Sequence, residues 1–211
     1  MDPKKADIPE EPKSTRDRLI DAAMRLFVEN GFEATGVSAI LQSAGVRSGS
    51  LYYFFKSKEE LLIAVLERYV DLLRPVILEP AEAATDDAVE RVFALLTRYR
   101  SFLEETGCRH GCPIGNLALE ISDHHDTARS LVLKNFDNWC AGVEKWLQDA
   151  GDRLPRDLDR GELARFVLTV MEGAQMQAKA EKRIEAYDKS VAQLRSYFSC
   201  LEQIARTETK S

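Results

Sequence analysis

Apolar residues recur along this chain at the three- and four-residue spacing of helices, and no stretch alternates with the two-residue period of a strand. Leu19, Ala22, Ala23, Leu26 and Phe27 make one face of a first helix, predicted from about Ser14 to Asn30, capped by Ser14 or Thr15 and stopped by Gly31. Two short helices are expected near Val37–Ala44 and Ser48–Phe54, with a tight corner at Ala44-Gly45. A longer one starts at Ser57, where Glu60 fits a capping box, and ends before Pro75. Amphipathic helices follow near Asp86–Glu105, Pro113–Ser122, Thr127–Asp149, Arg160–Glu181 and Tyr187–Arg206. The stretch from Pro75 to Pro80 and the segment GCRHGCPIG at 107–115 are the two interruptions. The expected fold class is all-α.

A length of 211 residues with 45% apolar and 30% charged side chains suits one large domain or two small ones, not a disordered chain. Residues 1–13, charged and Pro-rich, read as a disordered tail. The N-terminal MDPKKADIPEEPK has no apolar core of a secretory signal, and no apolar run approaches the roughly 20 residues of a membrane span, so a cytoplasmic location is expected. The four cysteines are too sparse for a disulfide scaffold and are expected as thiols. The net charge is −6, but from Thr35 to Lys58 the chain carries Arg47, Lys56 and Lys58 and no acid, leaving −9 for the rest. Acidic residues avoid one window of an acidic chain, which points to a polyanionic partner there.

That window reads TGVSAILQSAGVRSGSLYYFFKSK. Ile40, Leu41, Val46, Leu51 and Phe55 can close a small core against the first helix, and two short helices about a Gly corner make a helix-turn-helix, whose second helix enters the major groove. The pattern T-x4-I-x3-AGV-x-x-G-x-LYYxF-x-SKEEL, within a match from about Thr15 to Leu62, closely resembles the DNA-binding domain of TetR-type regulators. The resemblance implies an N-terminal three-helix DNA-binding domain at 14–62 and a helical effector-binding and dimerisation domain at 63–211. It implies a homodimeric regulator, a repressor, released from a palindromic double-stranded DNA operator by a small-molecule or electrophilic effector. Carried over by position, it makes Thr35 a phosphate contact and places Ser48, Ser50, Tyr52 and Tyr53 on or beside the recognition helix. Lys58, in the first turn of the next helix, suits a phosphate. Arg47 stands where the family often has Ser, and Ser48 where it often has Lys. The charge has thus moved by one residue, and Arg47 can reach phosphate or guanine while Ser48 becomes a candidate cap. Phe54 replaces a frequent His or Tyr, and Tyr52 is either a DNA contact or a packing residue.

The C-terminal part is less explicit. Phe136, Trp139, Val143 and Trp146 form one stripe that either lines an effector pocket or belongs to the core; Met171, Gln175 and Met176 pose the same choice. Cys112 precedes Pro113, a residue favoured at the first helical position, so it falls at a helix N-cap where the dipole favours a thiolate. A reactive Cys112 with Cys108 as resolving partner competes with a Cys112 that merely fills space. Cys108, His110 and Cys112 do not have zinc spacing, and neither metal nor cofactor is expected. No enzyme motif is present, which leaves a helical binding protein without a DNA role as the alternative. Small and apolar stripes on the last two helices (Ala164, Val167, Met171, Ala174, Ala178; Leu194, Phe198, Leu201) suggest where the subunits would meet.

Overall fold

The computed structural model describes residues 13–208, so all but the last residue of the tail expected at 1–13 lies outside the described residues. Among them, all regular structure is helical: α1 Thr15–Asn30, α2 Val37–Ala44, α3 Ser50–Phe54, α4 Lys58–Leu72, α5 Glu79–Ala84, α6 Ala88–Glu105, α7 Pro113–Ile121, α8 Asp126–Asp149, α9 Arg160–Glu181 and α10 Glu185–Glu208. Local chemistry sets several of the ends. Ser14, Ser57, Asp87 and Asp159 each accept a backbone N–H of their own helix's first turn. The box at Ser57 is altered: Glu60 N–H donates to Ser57 Oγ, but the Glu60 carboxylate accepts from Lys56 N–H. Gly45 ends α2 in the left-handed conformation (φ +64°), which glycine adopts without steric cost.

Two expectations are corrected. α4 ends at Leu72, before Pro75 as expected, but the expected interruption from Pro75 to Pro80 is absent. The chain stays helical through a π-type turn at Leu73–Leu78 into α5, and the wider turn tolerates a residue with no N–H. Ser48 does not cap the recognition helix: α3 begins at Ser50, its N-cap is Gly49, and no side chain caps it.

Two apolar clusters organise the packing. The first joins α1–α4 and also takes Leu117 and Ile121 of α7 and Ala128 and Val132 of α8. The second is built by α6, α8, α9 and α10. α4 crosses the expected domain boundary at 62 without a break, and α7 belongs by packing to the helix-turn-helix though it follows α6 in the chain. Leu194, Phe198, Leu201 and the small residues of α9 are buried within the subunit, so these stripes are not a surface for a second copy. The outward face of α9 and α10 instead exposes Phe166, Met176, Tyr197 and Ile204, with Phe166 and Tyr197 in edge-to-face contact at 5.6 Å.

Candidate functional site

The recognition helix has two faces. Leu51 and Phe55 are buried against α1 and α2, whereas Tyr52 and Tyr53 point outward, Tyr53 being 83% exposed. Arg47, Ser48 and Lys56 are exposed beside it and Ser50 is half-buried. The packing alternative for Tyr52 is therefore not the one adopted. Phe54 is exposed and stacks edge-on against Tyr53 at 4.8 Å.

Thr35 and Lys58 do something else. Thr35 is 2% exposed, and its hydroxyl donates to the carbonyls of Gly31 (2.6 Å) and Leu26 (3.2 Å), so this side chain pins the α1–α2 turn from inside. The Lys58 ammonium donates to the carbonyls of Phe32, Glu33 and Thr35 and lies 4.2 Å from the centre of the Phe32 ring. Both residues were expected to face phosphate. Instead they donate to backbone carbonyls at the end of α1 and in the turn that follows it.

The same turn is held from the other side by α7. The Glu120 carboxylate accepts the N–H of Phe32 (2.8 Å) and of Glu33 (2.6 Å). His125, just before α8, adds an edge-to-face contact with Phe32 and lies 3.2 Å from Glu59.

At its opposite end α7 forms part of a cavity of about 320 Å³ between α4, α6, α8 and α9. Cys112, Pro113 and Ile114 lie on its wall, together with Phe136, Trp139, Met171 and Gln175; Val28 of α1 reaches it as well. Of the expected pocket stripe, Val143 and Trp146 are core, and Met176 points to the surface. Cys108 packs in the core of the second cluster and is not on the cavity wall. The sequence reading missed Tyr69, Tyr99, Asn135 and Glu172. Glu172 was detectable, because it stands four residues after buried Leu168 and three before Gln175 on one helix face.

The chemistry of the wall overturns the thiolate expectation. Cys112 is the N-cap of α7 and its sulfur accepts Gly115 N–H at 3.4 Å, as the Pro113 position implied. Burial, the nearby Glu172 charge and the hydrogen bond to Glu172 nevertheless push the thiol well above its ordinary range. Desolvation of a thiolate outweighs one helix terminus. Burial also raises the Glu172 carboxyl, partly offset by its bond with Cys112. Trp139 donates to Tyr99 Oη at 3.1 Å. Among the described residues two buried side-chain atoms lack a hydrogen-bond partner, Glu172 Oε1 and Gln175 Nε2, and both residues line this cavity.

No described helix is long and apolar enough to cross a membrane, and the described residues hold no cluster of metal-ligating side chains.

The family model for bacterial regulatory proteins of the tetR family matches residues 19–65, and the model for a tetracyclin repressor-like C-terminal domain matches 88–194. The chain is 31% identical over 177 residues to the HTH-type transcriptional repressor DhaR of Mycobacterium sp. (strain GP1), covering 82% of this chain and 87% of that protein. A TetR transcriptional regulator from Chloroflexus aurantiacus superposes with a TM-score of 0.78 at 27% identity, over 88% of this chain and 94% of the other. Escherichia coli NemR in its reduced form does so with 0.76 at 25% identity, over 87% and 96%. With a helix-turn-helix that presents Tyr52 and Tyr53 outward, an all-helical second unit around a cavity, and family matches to both, this chain belongs to the tetR family of DNA-binding transcriptional regulators.

Proposed function

We propose that the protein is a homodimeric repressor that grips a palindromic operator through Arg47, Ser48, Ser50, Tyr52 and Tyr53, and that a small molecule in the α7 cavity releases it. One observation carries this reading. The two ends of α7, nine residues long, serve different sites: Cys112–Ile114 wall the cavity, and Glu120 holds the α1–α2 turn of the DNA-reading unit. A ligand that shifts the N-terminal end of this short helix necessarily pulls on Phe32 and Glu33. The displaced turn carries α2 and α3 with it, so the ligand favours a spacing of the two recognition helices that misses one half-site. The ligand shifts the equilibrium only by its differential affinity for the two states.

Arg47 and Lys56 supply the free positive charge of the interface, and the hydroxyls of Ser48, Ser50, Tyr52 and Tyr53 supply donors to phosphate or base edges. The second subunit is proposed to cover Phe166, Tyr197 and Ile204, where Gly173 leaves open space for close approach of a helix. A reversible ligand is favoured over an electrophile, because the Cys112 thiol is held protonated.

The decisive experiment selects bound sequences from random DNA and screens compounds for release. A near-palindrome whose occupancy falls steeply with salt, and which is freed by a cavity ligand, is the expected result. Absence of any selected sequence would overturn the reading.

A further inference from the structure

The cavity has a chemical asymmetry that restricts its ligand. Most of its wall is apolar and aromatic, including Tyr69, Phe102, Phe136 and Trp139. Two residues of that wall, both on α9, carry a buried side-chain atom without a hydrogen-bond partner: Glu172 Oε1, an acceptor, and three residues later Gln175 Nε2, a donor. Gln175 is 3% exposed, so water outside the protein does not reach its side chain. Unpaired buried polar atoms are rare and costly, and two neighbouring ones on a cavity wall mark where a ligand supplies the missing partners.

We infer that the effector is a neutral aromatic molecule of about two fused rings that carries a hydroxyl or carboxamide, giving its hydrogen to Glu172 Oε1 and accepting from Gln175 Nε2. This deepens the proposed effector role of the cavity and rests on it. The size follows from volume: a dry apolar cavity of roughly 150 Å³ holds benzene, and this one is about 320 Å³. The aromatic body follows from the rings around it, which favour edge-to-face contacts. The neutral head follows from the pairing. An ammonium has donors but no acceptor, so it leaves Gln175 Nε2 unsatisfied. A carboxylate accepts from Gln175 but offers no hydrogen to Glu172 and adds a second negative charge beside it. A bare hydrocarbon satisfies neither atom.

The test uses five probes on one ring system: 2-naphthol, 2-naphthamide, naphthalene, 2-naphthoate and (2-naphthyl)methylammonium. Binding to the full-length protein is followed by calorimetry and by quenching of Trp139, which lines the cavity. The naphthol and the amide are expected to bind about ten-fold or more tighter than naphthalene, and the two ions more weakly than either. In Gln175→Leu that preference should collapse while naphthalene binding persists, which also shows that the variant is folded with its cavity intact. Glu172→Gln, which keeps an acceptor oxygen, should retain much of the preference that Glu172→Leu loses. If naphthalene binds as tightly as the naphthol, or an ion binds best, the ligand class is wrong while the cavity remains a ligand site. If none of the five binds, the cavity is not the effector site and the inference falls with it.

Discussion

Glu120, on a helix that comes 88 residues later in the chain, accepts the backbone N–H of Phe32 at 2.8 Å and that of Glu33 at 2.6 Å. Those two amides follow the end of α1, where the backbone has no helical partner, and a charged acceptor is the stronger way to satisfy them. A carboxylate at this place joins α7 to the helix-turn-helix unit by hydrogen bonds in addition to packing.

Removing that acceptor tests the joint. Glu120→Ala should cost about 1.5–3 kcal/mol of stability, as expected for hydrogen bonds to a charged group, read by urea unfolding. Its operator complex should also need more effector for release, measured by fluorescence anisotropy. A variant with unchanged release would show that α7 does not transmit the signal through this contact.

Lys58 and Arg47 should separate cleanly. Arg47→Ala or Lys56→Ala should weaken operator binding and lower the slope of log affinity against log salt by roughly one unit each. Lys58→Met should leave that slope unchanged and lower the melting temperature, because the carbonyls of Phe32, Glu33 and Thr35 lose their bonds to the ammonium. Equal slope changes for all three would return Lys58 to the DNA surface.

The pH dependence of stability should report on Glu172. Burial raises its folded carboxyl above the ordinary 4.5, so the folded state holds the proton more tightly than the unfolded chain. The sign follows: below 4.5 both states are protonated, and as pH rises through the unfolded and then the folded value the wild type loses stability. Glu172→Gln removes this titration. Its advantage over the wild type should therefore grow from acid to neutral pH, by about 1.4 kcal/mol for each pH unit of displacement. Parallel stability curves for the two proteins would contradict the burial.

Gly115 leaves room for Glu172. A Cβ built at Gly115 would collide with the Glu172 carboxylate. Gly115→Ala should preserve the helical fold, seen by circular dichroism, but displace that carboxylate and weaken cavity ligands about ten-fold or more. Retained affinity would mean that the carboxylate does not contribute.

Phe198→Asp and Tyr197→Arg should differ although they are neighbours. Phe198 is buried against Phe93 at 5.4 Å, so a charge there should unfold the second unit. Tyr197 faces outward, so Tyr197→Arg should give folded monomers with weakened operator binding, seen by analytical ultracentrifugation.

The helix-turn-helix and most helix ends were legible in the chain because their causes are local. The capping serines act over three residues, Gly45 acts through its own φ, and Leu51 and Phe55 alternate with Tyr52 and Tyr53 within one turn. Cys112 was placed at its N-cap for the same reason, from the Pro that follows it.

Its ionisation was not legible, since burial and a carboxylate 60 positions later in the chain set it. Thr35 and Lys58 carry the residue types of a phosphate site, and only the fold of the α1–α2 turn shows carbonyls within reach of both. Periodicity marked apolar stripes on α9 and α10 without saying whether they meet each other or a second copy, because both partners are apolar helices. The stretch from Pro75 to Pro80 read as an interruption, since a π turn depends on what the helix packs against. The cavity has no local signal at all: it is the volume left where α4, α6, α7, α8 and α9 converge without filling the space, and its shape belongs to no single segment of the chain.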